Sequence, residues 1–282
     1  MQALKRRLQS TLKRAGIYYR LKNSYVYDLY WSVADRRLID DRSKELEFYR
    51  RLLHGFREGD LIFDVGANVG DKANVFLRLG ARVVCIEPDE VNQEVLRSKF
   101  LRYRFASKPV VIIGKAVSDR STTETMWIDG SGSAVNTLSQ KWAETLRANK
   151  DKFKHGHCGL RFTEHKIVET LTLEDLIVAH GLPFFVKVDV EGYEAKVIKG
   201  LKQPVPFLSF EVNLPEFRQE GLECVRLLYD LAADGEFNYA TDLHGGMALE
   251  KWLGAQEFSS VLEQYSETYI EVFWRTSLGR DR

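Results

Sequence analysis

The chain has little of several things, and each shortage excludes a class of protein. Only three cysteines occur in 282 residues. Cys85, Cys158 and Cys224 are widely spaced and form no C-x-x-C pair, so the sequence supports neither a disulfide framework nor a cysteine zinc site. Such sparse cysteine use favours a reducing compartment. No apolar run approaches the roughly 18 residues of a membrane-spanning helix. Lys13 and Arg14 interrupt the basic N-terminus before any signal-peptide core could form. Neither sign of charge is in excess, with Lys+Arg 41 against Asp+Glu 40, so no bulk attraction to nucleic acid is expected.

What remains is the composition of an enzyme domain. An apolar content of 44% and a charged content of 29% are ordinary for a soluble α/β protein. The length suffices for one large core with an appendage. Residues 1–57 read as an N-terminal helical extension and 58–282 as the main domain. Residues 1–22 hold seven Lys and Arg and no acid, with Leu4, Leu8 and Leu12 on one helical face and tyrosines and Trp31 after them. A basic amphipathic helix of this kind can lie on an anionic membrane surface. The expected location is therefore cytoplasmic, with peripheral contact on the inner membrane face.

From residue 60 strands and helices alternate, which argues for a mostly parallel sheet with helices on both faces. The pattern predicts strands at 61–65, 82–87, 110–116, 184–190, 206–212, 236–241 and 268–275. Helices are expected at 43–53, 73–79, 90–103, 194–201 and 222–234. Residues 118–182 break the rhythm with a strand at 123–128, a polar Gly/Ser loop and a Lys/His-rich stretch. That insertion is the expected shaper of an acceptor site, since loops on a rigid scaffold carry specificity.

The most telling segment is Leu61-Ile-Phe-Asp-Val-Gly-Ala-Asn-Val-Gly70. A strand, a glycine turn and a helix start, in that order, form a nucleotide-type cofactor site. The spacing is not G-x-G-x-x-G, and Asp64 and Asp71 would repel a pyrophosphate. An acid-G-x-N-x-G turn suits a phosphate-free cofactor with a positive centre, such as S-adenosylmethionine. A second acid, Glu87, ends the next strand about 20 residues later, where Rossmann-like folds bind ribose hydroxyls. A third acidic stretch, Lys187-Val-Asp-Val-Glu-Gly-Tyr-Glu194, places Asp189 and Glu191 at another strand end, and Phe207-Leu-Ser-Phe-Glu-Val-Asn213 adds Glu211 and Asn213.

Together with Ala116-Val-Ser-Asp119, Thr170-Leu-Thr-Leu-Glu-Asp-Leu176 and Val197-Ile-Lys-Gly200, these segments resemble the FkbM-type S-adenosylmethionine-dependent methyltransferases over roughly residues 58–275. The resemblance implies a class I methyltransferase Rossmann-like sheet of seven strands, the last antiparallel. It also implies methyl transfer, commonly to a hydroxyl of a sugar, glycan or polyketide-like small molecule. By matched position, Asp64, Gly66, Ala67, Asn68 and Gly70 would hold the methionine part, Glu87 the ribose, and Val117, Ser118 and Asp119 the adenine, with Asp189 near the reactive end. Asp71-Lys72 and Ser131-Gly-Ser133 depart from the family pattern.

A hydroxyl acceptor must lose a proton, which calls for a base or a metal ion. Glu191, Glu211 and His244 are the candidate bases. Asp189, Glu211 and Asn213 are the alternative ligands for one Mg²⁺. His155, His157, Cys158 and His165 lie in a basic stretch that suits an anionic acceptor, met by Lys150, Lys152, Lys154 and Lys166, better than it suits zinc. No Asn-Pro-Pro-Tyr motif points to an amide nitrogen. Two other readings are a nicotinamide-dependent oxidoreductase, which lacks its third glycine, and a non-catalytic membrane-surface binding protein.

Overall fold

The computed structural model describes residues 36–101, 103, 110–148 and 162–280. The basic segment 1–22 and the cluster His155, His157 and Cys158 lie outside the described residues, as do Lys150, Lys152 and Lys154. Among the described residues no helix is long and apolar enough to cross a membrane.

The main sheet is built from β1 (Leu61–Val65), β2 (Arg82–Ile86), β3 (Val110–Ile113), β7 (Phe185–Val188), β8 (Phe207–Asn213), β9 (Glu236–Ala240), β10 (Leu253–Gly254) and β11 (Tyr269–Arg275). The spatial order is β3-β2-β1-β7-β8-β11-β9-β10. Strands β3, β2, β1, β7 and β8 run parallel, and β11 is antiparallel to both β8 and β9. This is the expected class I arrangement with one correction: the sheet has eight strands, not seven. The eighth, β10, is a two-residue edge strand antiparallel to β9. Two residues carry no periodicity that a sequence could reveal.

Alternation along each strand splits the core into two layers. Phe63, Val84, Val186, Leu208 and Phe210 face α5 (Leu173–His180), α6 (Glu194–Lys199), α7 (Arg218–Leu231) and α8 (Ala255–Gln264). Ile62, Val83, Cys85, Phe185, Phe207 and Phe273 face α1 (Arg36–Leu52), α2 (Asp71–Leu79) and the end of α3 (Glu90–Lys99). Helix α1 thus covers the sheet directly. Phe48, Tyr49, Leu52 and Leu53 are buried, and the Tyr49 ring meets Phe76 edge-on at 5.0 Å and Phe185 at 5.8 Å. A boundary at 57/58 would cut through this packed layer.

The strand expected over 110–116 is two strands. The first ends at Ile113, and the chain then leaves the main sheet through Gly114, where a Cβ would lie 2.6 Å from the Gln93 side chain. It enters a second sheet, β4 (Ala116–Val117), β6 (Glu164–Leu171) and β5 (Thr123–Ile128), in that spatial order. Between β5 and β6 lies α4 (Gln140–Ala148). The 118–182 stretch therefore holds two of the small sheet's three strands, β5 and β6, with α4 and α5. Helix α5 starts at a capping box, Thr172 with Asp175, and sends Leu173, Leu176 and Ile177 into the main core.

If α1 is part of the core, Tyr49→Ala costs about 3–5 kcal/mol of unfolding free energy. Urea denaturation measures this; a loss below about 1 kcal/mol would detach α1 from the domain.

Candidate active site

Chain order runs outward from β1 to β2 and β3, then resumes on the other side of β1 at β7. Ligands in open α/β sheets bind at the carboxyl ends of strands beside such a reversal. The glycine turn after β1 sits there. Gly66 and Ala67 donate their N–H groups to the Ile86 carbonyl at 3.0 and 3.1 Å, which ties the turn to the end of β2. At Gly66, φ is 80°, and an added Cβ would lie 1.8 Å from the Asp189 carbonyl oxygen, so only glycine lets these two strand ends meet. Asn68, at φ 47°, donates its N–H to Glu87 Oε2 at 2.7 Å, and Asp89 donates to Oε1 at 2.8 Å.

A cavity of about 300 Å³ opens above this turn. Gly66, Asn68 and Glu87 line one side; Ile86, Pro88, Val117 and Met126 form an apolar wall; Asp189, Glu191, Tyr193, Glu211 and Tyr269 close the far end. Burial pushes the Glu87 carboxyl up to about 7, against the pull of its two backbone N–H donors. The donor set fits S-adenosylmethionine: a carboxylate at the second strand end for ribose hydroxyls, an apolar slot for the base, and acids facing the cationic end.

The structure separates the expected cofactor residues into two groups. Gly66, Asn68, Glu87, Val117 and Asp189 line the cavity. Asp64, Ala67, Gly70, Ser118 and Asp119 do not. Asp64 lies on the α1/α2 face of β1, buried beside Lys187, and accepts from the Ala73 N–H at the start of α2. Burial pushes it up to about 6, against the opposing pull of Lys187. Ala67 is buried in the turn, and a Cβ at Gly70 would strike Leu96 and Phe100 at 2.6 Å, so both serve packing. Ser118 donates to Glu124 at 2.5 Å, and Tyr193 donates to the other oxygen of the same carboxylate. Asp119 turns outward to Lys196 and Lys199 at 3.3 and 3.5 Å.

The carboxylates after β7 and near the end of β8 converge. Asp189 and Glu211 extend neighbouring parallel strands on one face, and Glu191 reaches them from a turn in which it holds φ 56°. Glu194, the first residue of α6, folds that turn back by accepting the N–H groups of Val190 and Gly192, both at 3.2 Å. Asp189, Glu191 and Glu211 each bring an oxygen within 4.8 Å of the others. Asn213, the third ligand expected for Mg²⁺, is not among the residues that line the cavity. The three acids are balanced by protein groups. Lys187, 4% exposed, donates to Asp189 Oδ2 at 2.6 Å. Trp142 Nε1 donates to Glu191 Oε2 at 2.8 Å.

Their protonation differs accordingly. Burial raises Asp189, but Lys187 and a hydrogen bond from Glu211 outweigh it and hold the carboxyl below its ordinary range. Burial and the Asp189 charge push Glu211 far above its range, so Glu211 keeps the proton that it shares with Asp189. Burial, Asp189 and Glu194 raise Glu191 to about 8. At neutral pH the cluster therefore holds one ionised acid, Asp189, between two protonated ones.

A second cavity, of about 280 Å³, adjoins the first. Asp189, Glu211 and Tyr269 line both. Its other walls come from Glu45 and Lys72, which form an ion pair, and from Lys187, Glu271 and the turn at 240–244. His244 lines this cavity and not the first; it is exposed, with Nδ1 3.6 Å from Asp242. Sequence reasoning missed Lys187, although alternation from Asp189 puts it on the same face. It also missed Trp142, Tyr193 and Tyr269, which come from distant elements and carry no local signal.

The family model for the methyltransferase FkbM domain matches residues 64–240. The chain belongs to the FkbM methyltransferase family. This makes it an S-adenosylmethionine-dependent methyltransferase, in keeping with the cavity's donor set. A search of curated protein sequences gave no match. Among solved structures, the chain is similar to a putative rRNA methylase from Clostridium thermocellum, with 9% identity, 83% of this chain and 94% of that one covered, and a TM-score of 0.41. It is also similar to the plantazolicin methyltransferase BpumL in complex with SAH, with 9% identity, 96% and 98% covered, and a TM-score of 0.39. A third is an S-adenosylmethionine-dependent O-methyltransferase from Thermotoga maritima, with 14% identity, 83% and 64% covered, and a TM-score of 0.39. At such scores the likeness carries no argument by itself.

Glu87 is expected to meet the ribose hydroxyls as an ionised carboxylate. The enzyme's affinity for S-adenosylhomocysteine therefore weakens as pH falls through about 7, where the carboxyl takes up a proton. Glu87→Gln weakens binding roughly tenfold and flattens that pH dependence. Isothermal titration between pH 6 and 8.5 checks both; an unchanged profile in the variant would remove Glu87 from the role.

Proposed function

We propose that this enzyme methylates an oxygen, the hydroxyl of a sugar-like or polyketide-like acceptor seated in the second cavity. The observation that carries the reading is the shared wall: Asp189, Glu211 and Tyr269 border both cavities. A group moving from one cavity to the other passes these three side chains. S-adenosylmethionine supplies a methyl on a sulfonium, a good leaving group, so alignment provides much of the rate.

The chain's own part is to bind, orient and deprotonate. Asp189, ionised and fixed by Lys187, accepts the hydrogen bond of an acceptor hydroxyl and then its proton. Glu211 shares its own proton with Asp189, so the two carboxyls take up the new proton as a pair. Tyr269, whose phenol burial and the nearby acids Glu211 and Glu271 keep protonated, is a hydrogen-bond donor at the same boundary. The alternating carboxylates and ammoniums of the second cavity suit a neutral, hydroxyl-rich ligand. Lys166, offered above for an anionic acceptor, pairs with Glu90 at 2.8 Å and lines neither cavity. Family membership leaves the dehydrogenase reading without support.

The test is a screen of hydroxyl-bearing acceptors with a methyl-labelled donor, followed by variants on the best substrate. Asp189→Asn should lower kcat by about 10²–10⁴-fold while S-adenosylhomocysteine still binds. His244→Ala should leave kcat near the parent value. Parallel loss of rate and of S-adenosylhomocysteine binding in Asp189→Asn would assign Asp189 to the cofactor instead.

A further inference from the structure

A third cavity, of about 690 Å³, continues from the second. Leu243 and His244 line both, so the two cavities are neighbours across the turn that follows β9. Gly245 and Gly246 in that turn border the third cavity with open space beside them. A Cβ at Gly246 would meet nothing within 4 Å, and one at Gly245 only the Asp242 carbonyl at 3.4 Å.

The two cavities differ in chemistry. The second is walled by ion pairs and carboxyls. The third has an apolar floor of Phe48, Leu52, Leu243, Met247 and Trp252 inside a polar rim that includes Lys44, His54 and the Glu47–Arg51 ion pair. Its aromatic element is held in place. The Arg275 guanidinium stacks 4.4 Å from the centre of the Trp252 ring and is itself pinned to Glu236 by contacts of 2.9 and 2.8 Å. A fixed aromatic side chain in an apolar recess is a preorganised site for a flat or flexible apolar group, since little freedom is lost on binding.

We propose that the third cavity holds the apolar part of an amphiphilic acceptor, a hydroxyl-rich unit joined to an aryl or alkyl group, as in a glycoside with an apolar aglycone. The polar unit occupies the second cavity beside Asp189, and the apolar group crosses the glycine turn onto Trp252. This rests on the acceptor reading of the second cavity. Specificity is then divided: the polar cavity reads hydroxyls, and the apolar one supplies the affinity that area burial brings.

The test uses the full chain with saturating S-adenosylhomocysteine. The probes are the 4-nitrophenyl and the methyl glycosides of glucose, galactose, mannose and rhamnose, titrated by saturation-transfer NMR. The aryl members should bind roughly tenfold or more tightly than their methyl counterparts. Trp252→Ala and Met247→Glu should each erase that gap with S-adenosylhomocysteine affinity intact; Met247 is partly exposed, so its variant guards against a folding failure at Trp252. Aryl and methyl forms binding alike, a gap that survives both substitutions, or no glycoside binding at all would give the cavity to another occupant and overturn the proposal. Normal S-adenosylhomocysteine binding with no aryl preference sinks only the third-cavity assignment. An aryl preference without any transfer to oxygen sinks only the O-methyl reading.

Discussion

One buried ammonium sets the electrostatics of the site. Lys187 lies on β7 in register with Asp64 on β1 and Ser209 on β8, and the next row on the same face holds Asp189, Glu211 and Glu271. Burying carboxylates in an apolar layer costs several kcal/mol each unless they are paired or neutralised. Both solutions are used here. Burial alone would lower the Lys187 ammonium, but the charges of Asp189, Glu271 and Asp64 raise it above its ordinary range. Glu211 and Glu191 stay protonated instead. The result is a sorted set of acids in which the ionised one faces the boundary between the two cavities. Pairs of acids pushed apart in this way mark acid and base roles.

The backbone makes that arrangement rigid. The turn at Gly66 rests against the Asp189 carbonyl, so the glycine turn and the acid-bearing end of β7 touch through main chain. Thr137 donates to the Glu191 carbonyl at 2.8 Å, which anchors the turn after β7 to the small sheet's loop. Helix α1 closes the second cavity with Glu45 while burying Phe48 and Tyr49 against the sheet. A segment outside the matched family region thus helps to shape the second cavity.

Much of this was legible from residue order. The strand-turn-helix at 61–79, the acid at Glu87 and the acids after β7 sit where period and spacing put them, because each depends on local rules. Failures came where a long-range contact decides. At the break, Gly114 packs against the Gln93 side chain, twenty-one positions away in the chain. Position alone makes Asp64 a cofactor ligand; it stands in register with Lys187, one row before Asp189 on the same face, and does not line the cavity. The amphipathic pattern of 43–53 announced a helix but not which sheet face it covers. Ser118 and Asp119 follow a cavity-lining valine, but their partners, Glu124 and the lysines of α6, are set by tertiary packing alone.

The central claim is that Lys187 balances the acids of the site, and a stability measurement on Lys187→Met alone and combined with Asp189→Asn tests it most directly. The account predicts a loss of about 3–5 kcal/mol for the single variant at neutral pH. That loss should shrink as pH falls, because the orphaned carboxylate takes up a proton in the folded state and sheds its buried charge. Adding Asp189→Asn should recover most of it. A loss within about 1 kcal/mol at every pH, as for an exposed pair, or simple addition of the two costs, would contradict the account.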